Sequence, residues 1–247
     1  MKPRLFILLL LVSLLCLGGL LGSNKPRYSY HKTLFTYILP IRDKIDAMSI
    51  DTGQFRIIHA GEYRIYEFPA RIIKGEETND VVKTLSDRIV FKPFVFKVGS
   101  LWGYMLENYA DTFNVKLKVD SVLSSSAFFT LSMDSVLSYA NYCGQFKIAN
   151  RDLVKAYSMR HDFYDSAYFY FNKSKLPIKH ALSERLDKEN NAKLYKLEIL
   201  SRKDTGQYAE YLNQRKFRKI SFELSNIVVD NEKQLDSFLT RFKKETL

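Results

Sequence analysis

The stretch Asp87–Glu107, DRIVFKPFVFKVGSLWGYMLE, decides the fold. It reads as a strand over 88–97, a tight turn over 98–100 and a second strand over 101–106. Gly99 supplies the positive φ that such a turn needs, and Phe91, Phe94, Phe96 and the chain's one tryptophan, Trp102, give both limbs strong β character. The stretch predicts a central β-hairpin on which a sheet is built.

Working outward, Gln54–Ile58 and Tyr63–Phe68 flank His59-Ala60-Gly61-Glu62, a second hairpin signal with glycine inside the connection. Downstream, Phe113, Val115, Leu117 and Val119 alternate with Asn114, Lys116, Lys118 and Asp120, which predicts a strand with one wet, lysine-rich face at the border of the sheet. Ser166–Phe171, Lys193–Ser201 and the alternation of Ile220, Phe222 and Leu224 with Lys219, Ser221 and Glu223 predict three more strands. Residues 25–39 read as extended.

Helical spacing predicts the remaining elements. Pro40 opens one helix, with Ile41, Ile45 and Met48 on a face, and Val81, Val82 and Leu85 suggest another after an acidic loop at 75–80. Asp134–Cys143 reads as a helix capped by Gly144, which makes Cys143 a small buried hydrophobe, and Asn150 caps a further turn through Leu153, Val154 and Tyr157. Pro177 begins a helix carrying Ile178, Ala181, Leu182 and Arg185 that ends near Asn190-Asn191, leaving His180 off the apolar stripe and solvated. The chain closes with an amphipathic helix capped by Asp230, its apolar face Leu235, Phe238, Leu239 and Phe242 packed on the sheet. The resulting expectation is an α+β fold: a mainly antiparallel, meander-like sheet with several short helices and a C-terminal amphipathic helix. Residues 24–247 are expected to form one domain, with a division near residue 150 as the alternative.

The N-terminus bears on compartment. Lys2 and Arg4 precede an apolar run, Leu5–Leu21, broken by Ser13, Gly18 and Gly19, which is the pattern of an export signal. Cleavage near Gly22 or Ser23 would put Leu20 or Leu21 where a small residue is preferred, so residues 1–23 are either a signal peptide or an N-terminal membrane anchor through residues 5–21. Lipidation at Cys16 is disfavoured by Leu15. Outside this leader Cys143 is the only cysteine, so no internal disulfide is expected. The expected location is exported: periplasmic, outer-surface or secreted. The net charge of +11 is spread along the chain, with one denser cluster at Arg215, Lys216, Arg218 and Lys219. That distribution suits an anionic surface or a protein partner in the envelope better than nucleic acid.

Chemical motifs are sparse. Arg160-His161-Asp162-Phe163-Tyr164-Asp165 is the densest candidate: on a continued helix His161 and Asp165 would share a face, with Asp162 beside them, a spacing suited to a metal or to general base work. No Gly-x-Ser-x-Gly elbow, His-Glu-x-x-His, P-loop or Gly-x-Gly-x-x-Gly occurs, and no cofactor or complete metal site is expected. For binding, Trp102 and Tyr104, with Tyr63 and Tyr66, could form an aromatic surface, and Arg215, Arg218 and Lys219 around Phe217 a phosphate- or base-binding cluster; the alternative for the cluster is a wet face guarding a strand edge. The functional expectation is an exported cell-envelope binding or assembly protein without catalytic activity, and the alternative is an exported hydrolase or metal-dependent enzyme using His161, Asp162 and Asp165.

Overall fold

In the computed structural model, which describes residues 28–42, 48–78, 81–125, 133–148, 152–173, 176–207 and 209–246, the chain is mostly antiparallel sheet. The described residues form eleven strands: β1 (Tyr30–Arg42), β2 (Met48–Ala60), β3 (Tyr63–Thr78), β4 (Val81–Lys97), β5 (Trp102–Met105), β6 (Val115–Lys118), β7 (Ala140–Lys147), β8 (Asp152–Met159), β9 (Tyr164–Asn172), β10 (Lys193–Ser201) and β11 (Lys219–Ile227). Short helices interleave them: α1 (Val119–Ser125), α2 (Met133–Ser138), α3 (Glu184–Asn190), α4 (Ala209–Leu212) and α5 (Arg215–Arg218), before the longer C-terminal α6 (Glu232–Thr246).

All eleven strands join one sheet in the order β6-β5-β4-β3-β2-β1-β11-β10-β9-β8-β7. Each half is a meander, and the halves meet where β1 pairs with β11 from Lys32↔Ile227 to Ile38↔Ser221. This is the order of an up-and-down barrel opened between β6 and β7, with α1 and α2 in the connection between those two strands.

The sheet has two apolar faces. One carries Phe35, Phe55 and Phe94 from the first half and Phe169, Phe171 and Phe222 from the second, with Val119, Val136 and Leu186 of the helices against them. On the other, α6 buries Leu235, Phe238, Leu239 and Phe242 over Ile58, Tyr63, Ile65 and Val95. The four buried residues of α6 are those its sequence spacing selects. Its first turn starts one residue later than expected, because the Leu235 N–H donates to the Asn231 carbonyl and Asp230 lies outside it.

The hairpin at 87–107 forms, with Gly99 at φ 81°, but it is not central: β4 and β5 lie near the β6 edge, and the middle of the sheet is β1. In place of the helix expected from Pro40, residues 40–42 and 48 are strand, since β1 runs through Pro40↔Ile50 to Arg42↔Met48; Ile45 lies outside the described residues. Pro40 is tolerated because the pairing with β11 has already ended at Ile38. Likewise, 75–78 and 81–87 are strand instead of loop and helix, continuing the β3–β4 hairpin past a register shift at Lys74/Gly75 to Thr78↔Val81.

Three further expectations are corrected. The helix expected over 134–143 stops at Ser138, and Cys143 is an exposed residue of the edge strand β7. Gly144, at φ 141°, marks a bulge between Tyr142 and Gly144 in that strand and caps no helix. The turn expected after Asn150 is strand β8, where Leu153 and Tyr157 share the face opposite Val154. The helix expected from Pro177 begins only at Glu184, where the Ser183 hydroxyl accepts the Leu186 N–H at 3.2 Å and fixes the start; it ends at Asn191 in the left-handed region, φ 45°.

Candidate functional site

An open sheet has two edges, and here they differ chemically. The β6 edge is four residues long, VKLK, and Lys116 and Lys118 lie over the exposed Trp102 ring at 5.3 and 6.0 Å from its centre. Short length and lysines are how an edge resists pairing with other chains. The β7 edge has neither guard. It is eight residues, ANYCGQFK, with its one lysine at the end, and Tyr142 and Phe146 are 56% and 49% exposed, with Tyr139 and Ile148 exposed just beyond its ends.

The bulge at Cys143 distributes these side chains over both faces. Tyr142 pairs with Tyr157 on the face of the first core, whereas Gly144 and Phe146 pair with Ala156 and Val154 on the other. The Tyr142 ring meets Tyr157 edge-on at 5.6 Å, and Tyr157 meets the buried Phe169 at 5.1 Å, so the exposed ring is seated on a ladder reaching the core. Beside it a groove of about 410 Å³ separates α3 from β7 and β8, lined by Leu137, Ala140, Tyr142, Tyr157, Arg185 and Glu189. Both ends of the β7–β8 hairpin are tied, by Ile148 N–H to the Asp152 carbonyl (3.0 Å) and Arg160 N–H to the Tyr139 carbonyl (2.6 Å). The bulge at Tyr142/Gly144 bends β7 partway along, but its outer backbone edge still runs beside apolar side chains and a groove, an arrangement suited to an added strand.

The residues singled out from sequence are dispersed. His161 lies in the bend between β8 and β9, not on a helix; its Nδ1 accepts the Phe163 N–H at 3.1 Å. Asp162 is exposed, and Asp165 pairs with Arg218 at 3.5 Å. Among the described residues no group of three metal-ligating side chains comes together. Tyr63 and Tyr66 are buried on opposite faces, and Tyr104 packs edge-on against Phe113 and Phe242, each at 5.9 Å. Of the four aromatic candidates only Trp102 is exposed.

Arg218 and Lys219 of the basic cluster are largely covered, while Arg215 stays exposed. Arg215, Lys219 and Lys196 surround the buried Glu198 carboxylate at 3.5, 3.3 and 3.3 Å, and Tyr170 donates to it at 2.8 Å. Burial pushes that carboxyl up, but the Tyr170 hydrogen bond and the two lysines more than offset it and hold it below the ordinary value. Arg218 donates through Nε to the Ser201 carbonyl at 2.9 Å. Since β11 is interior to the sheet, these residues guard no edge.

Sequence reading missed one assembly. Three of the four histidines converge: His31 and His59 are cross-strand partners, and the His180 ring sits 5.9 Å from His59 and 6.4 Å from Tyr66. His180 is therefore packed and not solvated. Burial, then Arg64, His180, His31 and Lys193, push His59 down to about 3; burial, then Lys193 and Arg64, push His180 down to about 4. No spacing in the sequence connects positions 31, 59 and 180.

The sequence matches no family model and no curated protein. Among the described residues no helix is long and apolar enough to cross a membrane; residues 1–23, read from sequence as a signal peptide or anchor, lie outside them.

Proposed function

We propose that this chain is an exported cell-envelope binding or assembly protein without catalytic activity, a sheet-dominated α+β domain that takes an extended segment of a partner protein along β7. The observation that carries the reading is the contrast between the edges: β6 is short and lysine-guarded, whereas β7 is twice as long, lined by exposed Tyr142 and Phe146 and flanked by a groove. Backbone hydrogen bonds along such an edge give affinity, and alternate side chains of the added strand give specificity. Apolar and acidic side chains suit the partner strand, because Lys147 ends the edge and Lys155 pairs with its Gln145 within a chain of net charge +11.

The leader supports export, and residues 5–21 supply the membrane contact if it is retained. Retention would make the chain a subunit of a membrane-associated complex, with an anionic surface as its second partner.

The test compares three forms of the full chain expressed in its own cells: wild type, Gln145→Pro on the β7 edge and Lys116→Pro on the β6 edge. The reading expects a defined envelope protein to co-purify with wild type and Lys116→Pro and to be lost with Gln145→Pro. Equal recovery with all three would end it.

A further inference from the structure

A second feature adjoins the groove across the segment Val136–Ala140, whose residues line one or the other. Where β8–β11 meet α2 there is a cavity of about 150 Å³, with the buried Val136, Met159 and Ile199 and the partly buried Ile220 as its floor. Its rim is made of rings: Tyr139, His161 and Tyr164. The neighbouring core is filled by side chains in contact, so an opening of this size at a ring-lined rim is a shaped space.

The one imidazole at the rim is held by one ring hydrogen bond, two backbone ties and neighbouring rings. Phe163 N–H donates to Nδ1 at 3.1 Å, Arg202 Nε donates to the His161 carbonyl at 3.1 Å, and Arg202 N–H donates to the Phe163 carbonyl at 2.9 Å. The ring leans on Tyr164 at 4.8 Å and meets Tyr139 edge-on at 6.0 Å. With Nδ1 accepting, the neutral ring carries its proton on Nε2, which makes His161 a hydrogen-bond donor.

We propose that this cavity is a binding site for a small single-ring aromatic molecule bearing one hydrogen-bond acceptor, its ring on the Met159–Ile199 floor and its acceptor met by the His161 Nε2–H. Size sets the class, because an apolar cavity of roughly 150 Å³ accepts one benzene-sized ring and no long acyl chain. Lining sets the shape: Tyr139 and Tyr164 offer edge and face contacts to a planar ligand, and the Met159 sulfur favours an aromatic neighbour. An apolar pocket with one placed polar group is how small-ligand sites obtain both affinity and orientation. Tyr139 is shared with the end of β7, but a ligand here does not need an occupied β7 edge, and either reading can fail without the other.

The chain has five methionines, at positions 1, 48, 105, 133 and 159, and of the two whose side chains are described, Met105 and Met159, Met159 lines the cavity. Full-length protein with ¹³C-methyl methionine is titrated with benzyl alcohol and, separately, toluene, which has the ring without the acceptor. The expected result is a saturable shift of the Met159 methyl, with toluene about five-fold weaker or more, the worth of one hydrogen bond. His161→Phe should bring benzyl alcohol down to the toluene affinity and leave toluene's unchanged. Ile220→Phe, which fills the space, should abolish both responses while the Met105 signal keeps its native position and reports an intact fold. No saturable shift at Met159 would overturn the proposal. So would an unchanged response in Ile220→Phe, or equal affinities for the two probes in wild type.

Discussion

Lys32 Nζ lies 3.2 Å from Glu67 Oε2 beneath α6, with the two side chains 6% and 4% exposed. Tyr109 OH donates to Glu67 Oε1 at 2.7 Å, and Arg56 stands 3.6 Å from Oε2. Arg241 of α6 holds the Tyr109 loop in turn, donating to the Tyr109 and Ala110 carbonyls at 2.8 Å each. The C-terminal helix is thus joined to the sheet through a buried charge pair as well as by its apolar face.

Breaking that pair from one side leaves a buried charge without its partner. Glu67→Leu is expected to destabilise the chain by about 3–5 kcal/mol, read as a lower urea midpoint, whereas Lys32→Met combined with Glu67→Leu should recover most of the loss. A double variant as unstable as the single one would show that the pair itself is strongly stabilising.

The histidine trio predicts a pH dependence. His59 and His180 are pushed down to about 3 and 4 from an ordinary 6.5, so the unfolded chain takes up protons first as pH falls. The groups facing them are His31 from β1, Arg64 and Tyr66 from β3 and Lys193 from β10; none of these is a carboxylate that would welcome the added charge. Their contribution is present in full above about pH 6.5 and declines as pH falls from there toward 4. A His59→Phe, His180→Phe variant should lose less Tm than wild type between pH 7 and 4.5. Parallel curves would show that acid acts elsewhere.

Gly103 is set by a ring. A Cβ at this position would lie 2.5 Å from Phe94 Cζ and 2.9 Å from the Val95 carbonyl oxygen, and Phe94 is fully buried and cannot swing aside. Gly103→Ala is expected to destabilise the protein by about 1–3 kcal/mol. Adding Phe94→Leu should reduce the cost of the alanine without abolishing it, because it removes the ring atoms while the Val95 carbonyl contact remains. Thermal unfolding of the four forms gives the coupling directly.

Local pattern reads well where one face of an element is apolar and short in range. The border strand at Val115–Lys118, the strands Tyr164–Asn172, Lys193–Ser201 and Lys219–Ile227, and the four buried residues of α6 all follow from alternation or helical spacing. What failed depends on partners distant in sequence. Pro40 and Val81–Ser86 are strand because β2 and β3 extend opposite them, and β1 is the middle of the sheet because β11 pairs with it. Cys143 faces outward because a bulge interrupts an edge strand that no helical spacing describes. The candidate sites were less legible still: Asp165 and Arg218, assigned from sequence to different clusters, pair with each other, and the histidines meet only through strand register.

Amide hydrogen exchange on the full chain, alone and with the envelope protein that co-purifies, tests the β7 reading most directly. The account predicts that the amides of Ala140–Lys147 slow markedly in the complex while those of Val115–Lys118 stay unchanged. Exchange at Ala140–Lys147 unaltered by the partner, with protection arising elsewhere on the chain, would contradict it.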